Sequence, residues 1–353
     1  MRVAFSYWGF LEKPSMSNIV ETPDGMRGER YLVVDELLSR GHEVFCVQKR
    51  REETPYPGVT YADTDIPDVD VAFFEWRWQI GHKNVGESAV ENDWTRQTNL
   101  LYAYTRRGVP MLAQDSDHKL TLEDEHMWPS LVIGEPSLDP IFNSRHRIKM
   151  PWCTDWRQYN EPADYSYNYS YLGNNYERDA MFMKYFGRPS ELLRKSGIQT
   201  MIYGNWLNRS PERADPATNL RRWPYTSFGG RLSFKDGMEA LSKSICTTHI
   251  AKESYAEHGF ITTRTFEAIQ NGLPALIPAE HHYLKSLGLG EFVVDTPESV
   301  LKCVEMIQKM NRSTRLSLVA RQKEELMKLE DFSPKHKVDL IEAVGRGEIK
   351  AEK

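Results

Sequence analysis

Along the chain, short unbroken apolar runs alternate with longer stretches in which apolar residues recur every three or four positions. The runs Val3–Ser6, His42–Val47, Val69–Phe74 and Val109–Gln114 predict strands. Gly28–Ser39, closed by Gly41, and Ser88–Arg107 predict helices between them. Leu131–Ile133 and His146–Met150 add two short strands. From Pro151 to Ser170 the alternation breaks into prolines, tryptophans and tyrosines, which marks a domain boundary. A second series follows. Its predicted strands are Ser170–Leu172, Thr200–Tyr203, Ile245–Thr248, Ala275–Ile277 and Phe292–Val294. Its predicted helices are Arg178–Phe186, Phe234–Ser244, Thr263–Asn271, Pro297–Met310 and Thr314–Leu329, with a last helix from Pro334. Strand-helix alternation of this kind builds parallel doubly wound sheets. The expected architecture is α/β, with two Rossmann-like domains, 1–165 and 166–330, facing a central cleft. Residues 331–353 are expected as a C-terminal helix packing back on the first domain, with a frayed tail.

Composition narrows the function classes. The 353 residues carry a formal net charge of −5, which disfavours a protein that coats nucleic acid non-specifically and leaves room for a local basic groove. Cys46, Cys153, Cys246 and Cys303 are widely scattered without a CxxC pair or zinc spacing, and Cys46 and Cys246 fall in apolar runs that suit buried thiols. The first residues read as strand and turn rather than a signal peptide, and no apolar run approaches the roughly 20 residues of a membrane span. A reducing, cytoplasmic setting without membrane attachment is expected. The Asn-X-Ser/Thr matches at Asn168, Asn208 and Asn311 are then coincidental.

The stretch Gly259–Ala279 carries the most chemistry. It reads as loop, helix, tight turn and buried strand, with Thr262 or Thr263 as cap and Asn271-Gly272 as stop. Arg264 and Glu267 share one face of the first turn. They suit either a surface ion pair or a grip in which Arg264 meets phosphate and Glu267 accepts sugar hydroxyls. Gly173-Asn174-Asn175-Tyr176-Glu177-Arg178 leaves a strand on a Gly turn and enters a helix, either an anion site or only a turn. Tyr203-Gly204-Asn205-Trp206 is a second such strand end, able to bound a nucleobase or merely to pack its Trp. Neither is a GxGxxG or Walker loop.

In the first half, Asp115 follows the fourth strand, the position of a general base in a sheet crevice. Asp115-Ser116-Asp117 and Asp63-Thr64-Asp65 resemble the metal-binding DxD pattern, but the base reading of Asp115 is preferred; no motif requires a divalent cation, although Mg or Mn is compatible with the site. Glu29 begins the first helix, where an acid offsets the dipole or bonds a sugar. Trp76, Arg77 and Trp78 interleave aromatics with Arg at a strand end, and Arg145 and Arg147 form one of several basic clusters. Such residues wedge or stack on bases and meet phosphates, or form solvated faces.

Taken together, these segments resemble the phage DNA β-glucosyltransferases, two-domain GT-B enzymes that use UDP-glucose to glucosylate 5-hydroxymethylcytosine in duplex DNA. The likeness is collinear over most of the chain and sharpest at Phe260-Ile261-Thr262-Thr263-Arg264-Thr265-Phe266-Glu267. It implies Arg264 on the diphosphate and Glu267 on the ribose. It also implies donor contacts from Gly173, Asn174, Arg178, Tyr203, Gly204, Leu232 and Glu29, with Asp115 as the catalytic base. DNA contacts are expected from Trp76, Arg77, Trp78, Arg145 and Arg147. The family's Gly loop carries two phosphate-binding arginines, of which only Arg178 is matched. The first loop is rebuilt around Tyr7-Trp8-Gly9-Phe10. Gly259 stands about where retaining GT-B enzymes carry a first Glu, so inverting chemistry is expected. The expected protein is a monomeric hexosyltransferase of an infected host cell's cytoplasm, acting on a flipped base of double-stranded DNA. The alternatives are a GT-B transferase for a carbohydrate or lipid acceptor, and a non-catalytic module that binds nucleotide-sugar or DNA.

Overall fold

The computed structural model describes residues 1–13, 26–48, 50–62, 65–77, 89–164, 166, 168–175, 178–206 and 223–351. The chain divides into two compact units, Met1–Glu12 with Met26–Asp155 and Asp331–Lys353, and Trp156–Glu330. The expected break near residue 165 thus falls ten residues earlier. Cys153 and Thr154 still bond within the first unit, Cys153 N–H to Glu29 (2.6 Å) and Thr154 N–H to the Phe332 carbonyl (2.8 Å). Trp156 already packs edge-on to Phe266 of the second.

The first unit runs β1 (Arg2–Ser6), α1 (Arg27–Ser39), β2 (Glu43–Cys46), β3 (Val59–Tyr61), β4 (Val71–Trp76), α2 (Ala89–Arg107), β5 (Met111–Asp115), α3 (Leu122–Met127), β6 (Leu131–Glu135) and β7 (Arg147–Lys149). Among the described residues its sheet has seven parallel strands in the order β3-β2-β1-β4-β5-β6-β7. Strands β4, β5 and β6 are buried at every position, as parallel strands covered on both faces must be. Helix α3 starts on a capping box in which the Thr121 hydroxyl accepts the Asp124 N–H while Asp124 accepts the Thr121 N–H.

The second unit runs β8 (Asn168–Leu172), α4 (Asp179–Phe182) followed by a π-helical turn (Met183–Gly187), α5 (Pro189–Lys195), β9 (Gln199–Tyr203), β10 (Thr226–Gly230), α6 (Phe234–Ser242), β11 (Ser244–Thr248), α7 (Glu253–Glu257), α8 (Thr263–Gln270), β12 (Ala275–Pro278), a 3-10 stretch (His282–Gly288), β13 (Val293–Val294), α9 (Pro297–Gln308) and α10 (Arg312–Met327). Among the described residues its six strands are parallel in the order β10-β9-β8-β11-β12-β13. The last helix, α11 (Pro334–Gly345), belongs to the first unit, where Val338, Ile341 and Val344 enter the core beside Val3, Val34 and Leu37. Both sheets are therefore doubly wound. Strand order reverses between β1 and β4 in one and between β8 and β11 in the other, the places where such folds bind ligands.

Candidate functional site

The reversal point of the second sheet opens into a recess of about 330 Å3, counting its solvent-facing part. Tyr171 and Leu172 come from the end of β8, Thr247, Thr248 and His249 from the end of β11, and Arg264, Thr265 and Ala268 from α8. Helix α8 is where the sequence places it, stopped by Gly272 at φ 62°. The expected cap is corrected in part. Thr262 occupies the N-cap, but its hydroxyl makes no capping bond and is buried without a partner. Helix α8 thus starts without a side-chain cap from its N-cap residue, and its dipole presents positive potential there.

Arg264 and Glu267 form the ion pair that their spacing permits. The pair is not on the surface. Glu267 is buried, and desolvation raises its pKa against the pull of Arg264. His249 lies among the same residues, 4% exposed. Its Nδ1 is 2.8 Å from the Thr265 hydroxyl, its ring stands edge-on to His281 at 4.8 Å, and its Nε2 has no partner. Desolvation first, then His281 and Arg178, hold His249 well below the usual imidazole range.

Gly173 and Gly204 knit the loops after β8 and β9. A Cβ on Gly204 would lie 2.1 Å from the Gly173 carbonyl oxygen. Trp206 Nε1–H donates to that same oxygen at 2.7 Å, and Asn205 N–H donates to Asn174 Oδ1 at 2.7 Å. Arg178 donates to the Asn174 carbonyl at 2.7 Å, while its Nε remains buried and unpartnered. Tyr203, the last residue of β9, and Leu232, which follows β10, are half-buried; neither lines the recess. The residues brought together are Arg264, Glu267 and His249 at the recess, with Arg178 close enough to act on His249.

In the first unit several expectations are corrected. Glu29 is turned into the fold rather than out to a crevice: it is 1% exposed, accepts the Cys153 N–H and pairs with Lys337 of α11. Trp76 is fully buried in the core beside Phe74, so it is no DNA wedge. Arg147 is locked inside, 2.6 Å from Glu125, 3.2 Å from Glu135 and 2.7 Å from the Leu120 carbonyl. Arg145 is exposed. Trp78 and Asp63 lie outside the described residues. Asp115 ends β5 with no solvent exposure, its oxygens accepting the Lys119 and Leu120 N–H groups at 2.7 and 2.9 Å. Burial raises its pKa to about 7 despite those bonds.

Sequence reasoning missed two features here. Arg30 is fully buried, bidentate to Glu75 at 2.6–2.8 Å, and donates to the Trp8 carbonyl at 2.7 Å, fastening the rebuilt first loop. The Trp8 ring has Arg51 at 5.6 Å and Arg77 at 5.3 Å, an Arg–Trp–Arg cluster beyond the ends of β1, β2 and β4. Three basic or aromatic strand ends were visible in the sequence; their convergence required the strand order. Among the described residues no three His, Cys, Asp or Glu side chains converge to hold a metal, and no helix is long and apolar enough to cross a membrane. All four cysteines are buried and unpaired.

Residues 188–343 match the family model described as glycosyl transferase-like. No curated protein matches the chain. Among solved structures, T4 phage β-glucosyltransferase is similar with a TM-score of 0.62 at 12% identity over 98% of this chain and 99% of that one. The T4 phage enzyme in complex with UDP and Mn2+ gives 0.63 at 14% identity with the same coverage. A mutant of Thermobaculum terrenum O-GlcNAc transferase gives 0.51 at 13% identity, over 98% of this chain and 67% of that one. Identities so low speak for architecture. The chain carries a glycosyl transferase-like segment on two parallel-sheet, Rossmann-like domains, the fold of the GT-B glycosyltransferases.

Proposed function

We propose that the protein is an inverting glycosyltransferase that moves a sugar, glucose foremost, from a UDP-sugar to a 5-hydroxymethyl pyrimidine of duplex DNA. The observation that carries the donor half is the recess at the β8/β11 reversal point, lined by Arg264 and His249, with Arg264 paired to the buried Glu267. Cationic groups and a helix N-terminus at one sheet edge suit a diphosphate. On donor binding Arg264 turns from Glu267 to the diphosphate, and Glu267 accepts the ribose hydroxyls. Arg178 supplies a second positive charge through its unpartnered Nε. Any Mg or Mn ion would reach the site on the diphosphate oxygens.

Asp115 is the proposed base. Its pKa of about 7 is matched to proton abstraction near neutrality. The acceptor hydroxyl reaches it by replacing one of the two loop amides now bonded to the carboxylate. Asp115 takes the hydroxymethyl proton as that oxygen bonds to the anomeric carbon. The anomeric carbon–oxygen bond to UDP breaks on the opposite face, and UDP leaves with the electron pair. Arg264 and Arg178 stabilise the charge that grows on the leaving diphosphate. The Arg51–Trp8–Arg77 cluster is a stacking and phosphate platform of the kind nucleic acids use, and it replaces Trp76 and Arg147 in this reading.

The test incubates the protein with several UDP-sugars and hydroxymethylated duplex DNA, then identifies the nucleosides by mass spectrometry. Hexosylated hydroxymethyl pyrimidine is the expected product. Untouched DNA alongside a glycosylated carbohydrate or lipid acceptor would overturn the DNA assignment. Donor binding with neither transfer nor hydrolysis would favour the non-catalytic alternative.

A further inference from the structure

The recess is lined by two polar groups left unsatisfied among the described residues, His249 Nε2 and the Tyr171 hydroxyl. Both are on residues more than nine-tenths buried, where an unmade hydrogen bond is costly. The groups facing His249 are cationic or can become so. Arg178 acts on it from the start of α4, His281 stands against it from the end of β12, and Arg264 lines the same recess from α8 with its partner Glu267. His281 is itself kept neutral, its pKa pushed down to about 4 by burial and His282 against the pull of Glu280. An empty recess therefore disfavours a charged His249. An uncharged sugar or base would satisfy Nε2 of the neutral ring and leave its protonation state unchanged. Only an anion both bonds Nε2 and reverses the local potential.

We propose that His249 is a proton-linked contact to the donor's diphosphate. When the diphosphate binds, the ring takes one proton from solvent; Nδ1–H then donates to the Thr265 hydroxyl and Nε2–H to a phosphate oxygen. This inference rests on reading the recess as the donor site. It makes donor affinity rise as pH falls toward the imidazole range, and it places a cation on the leaving group in addition to the two arginines.

Titration calorimetry with UDP-glucose tests it, because that diphosphate has no proton to lose near neutrality. Heats measured in buffers of different ionisation enthalpy count the protons taken up. Wild type is expected to take up a sizeable fraction of one proton at about pH 7 and to bind about threefold or more tighter at about pH 6 than at about pH 8. His249→Gln keeps an N–H donor near the Nε2 position and cannot titrate. It is expected to lose both the proton uptake and the pH dependence. Wild-type binding without proton uptake would overturn the inference and leave the donor site standing. Uptake that survives in His249→Gln but disappears in His281→Gln would overturn the assignment to His249. No binding of UDP-glucose or other UDP-sugars by wild type would overturn the donor-site reading itself.

Discussion

Asp115 shows how much one buried carboxylate can govern. Its pKa stands at about 7 in the fold against an ordinary 3.8. A carboxylate raised in this way favours the folded state fully only below its unfolded value. That contribution is lost as pH rises through about 7, because the unfolded chain then releases the proton more readily than the fold does. The change in melting temperature from about pH 4 to about pH 7 should therefore be more positive in Asp115→Asn than in wild type. The same variant should bind UDP-sugar normally and transfer it about a hundredfold or more slowly; near-normal turnover would remove Asp115 from the chemistry. For Glu267→Gln, calorimetry should show UDP-glucose affinity reduced about tenfold, since a charged acceptor of ribose hydroxyls is lost. At this scale the sequence was partly legible. Three-residue spacing is enough to pair Arg264 with Glu267, whereas their burial depends on β11 and on residues far along the chain. His249 gave no local signal, since a lone histidine after an apolar run reads the same whether it is satisfied or not.

Among elements, the crossing of the loops after β8 and β9 is the tightest constraint described. Gly204 sits at φ 122° with the Gly173 carbonyl against it, so Gly204→Ala meets both backbone strain and a steric block. We expect a melting temperature lowered by several degrees and weaker UDP-sugar binding, because the displaced loop carries Asn174 and, through its carbonyl, Arg178. An unchanged melting point would show that the loops can separate at no cost. The principal strands and helices were readable because their apolar runs and spacings are clean. Strand β10, Thr-Ser-Phe-Gly-Gly, was not, since its two glycines read as a turn and only pairing to β9 makes it an edge strand. The helix expected over Arg178–Phe186 exists, but it loosens into a π turn at Met183–Gly187, which periodicity alone does not distinguish.

For the whole molecule, the decisive contact lies between residues 308 positions apart. Lys337 on α11 pairs with Glu29 on α1, both about 1–2% exposed, and also reaches Gln114 beside Asp115 at 3.2 Å. Removing one charge strands the other, so Lys337→Met should cost the first unit about 3–5 kcal/mol in denaturant unfolding. Adding Glu29→Gln to it should recover part of that loss; a double variant no better than the single would show that packing, not charge, is at stake. Such long-range clasps lie beyond local sequence patterns, which offered Glu29 as a helix-start acid that offsets the dipole or bonds a sugar.

That clasp also sets a timetable for biosynthesis. A ribosome releases the strands of the first unit early, then spends roughly 9–35 s on the residues between Asp155 and Asp331 before α11 exists. During that interval Glu29 has no counter-charge and the core positions later filled by Val338, Ile341 and Val344 stand open. The second unit ends at Glu330 and so has its whole chain before the first does; the order of completion inverts the order of synthesis. A nascent chain stalled before Asp331 should therefore protect the second unit from protease while the first remains cleavable, and the part of the protein that carries Asp115 would be the last to mature.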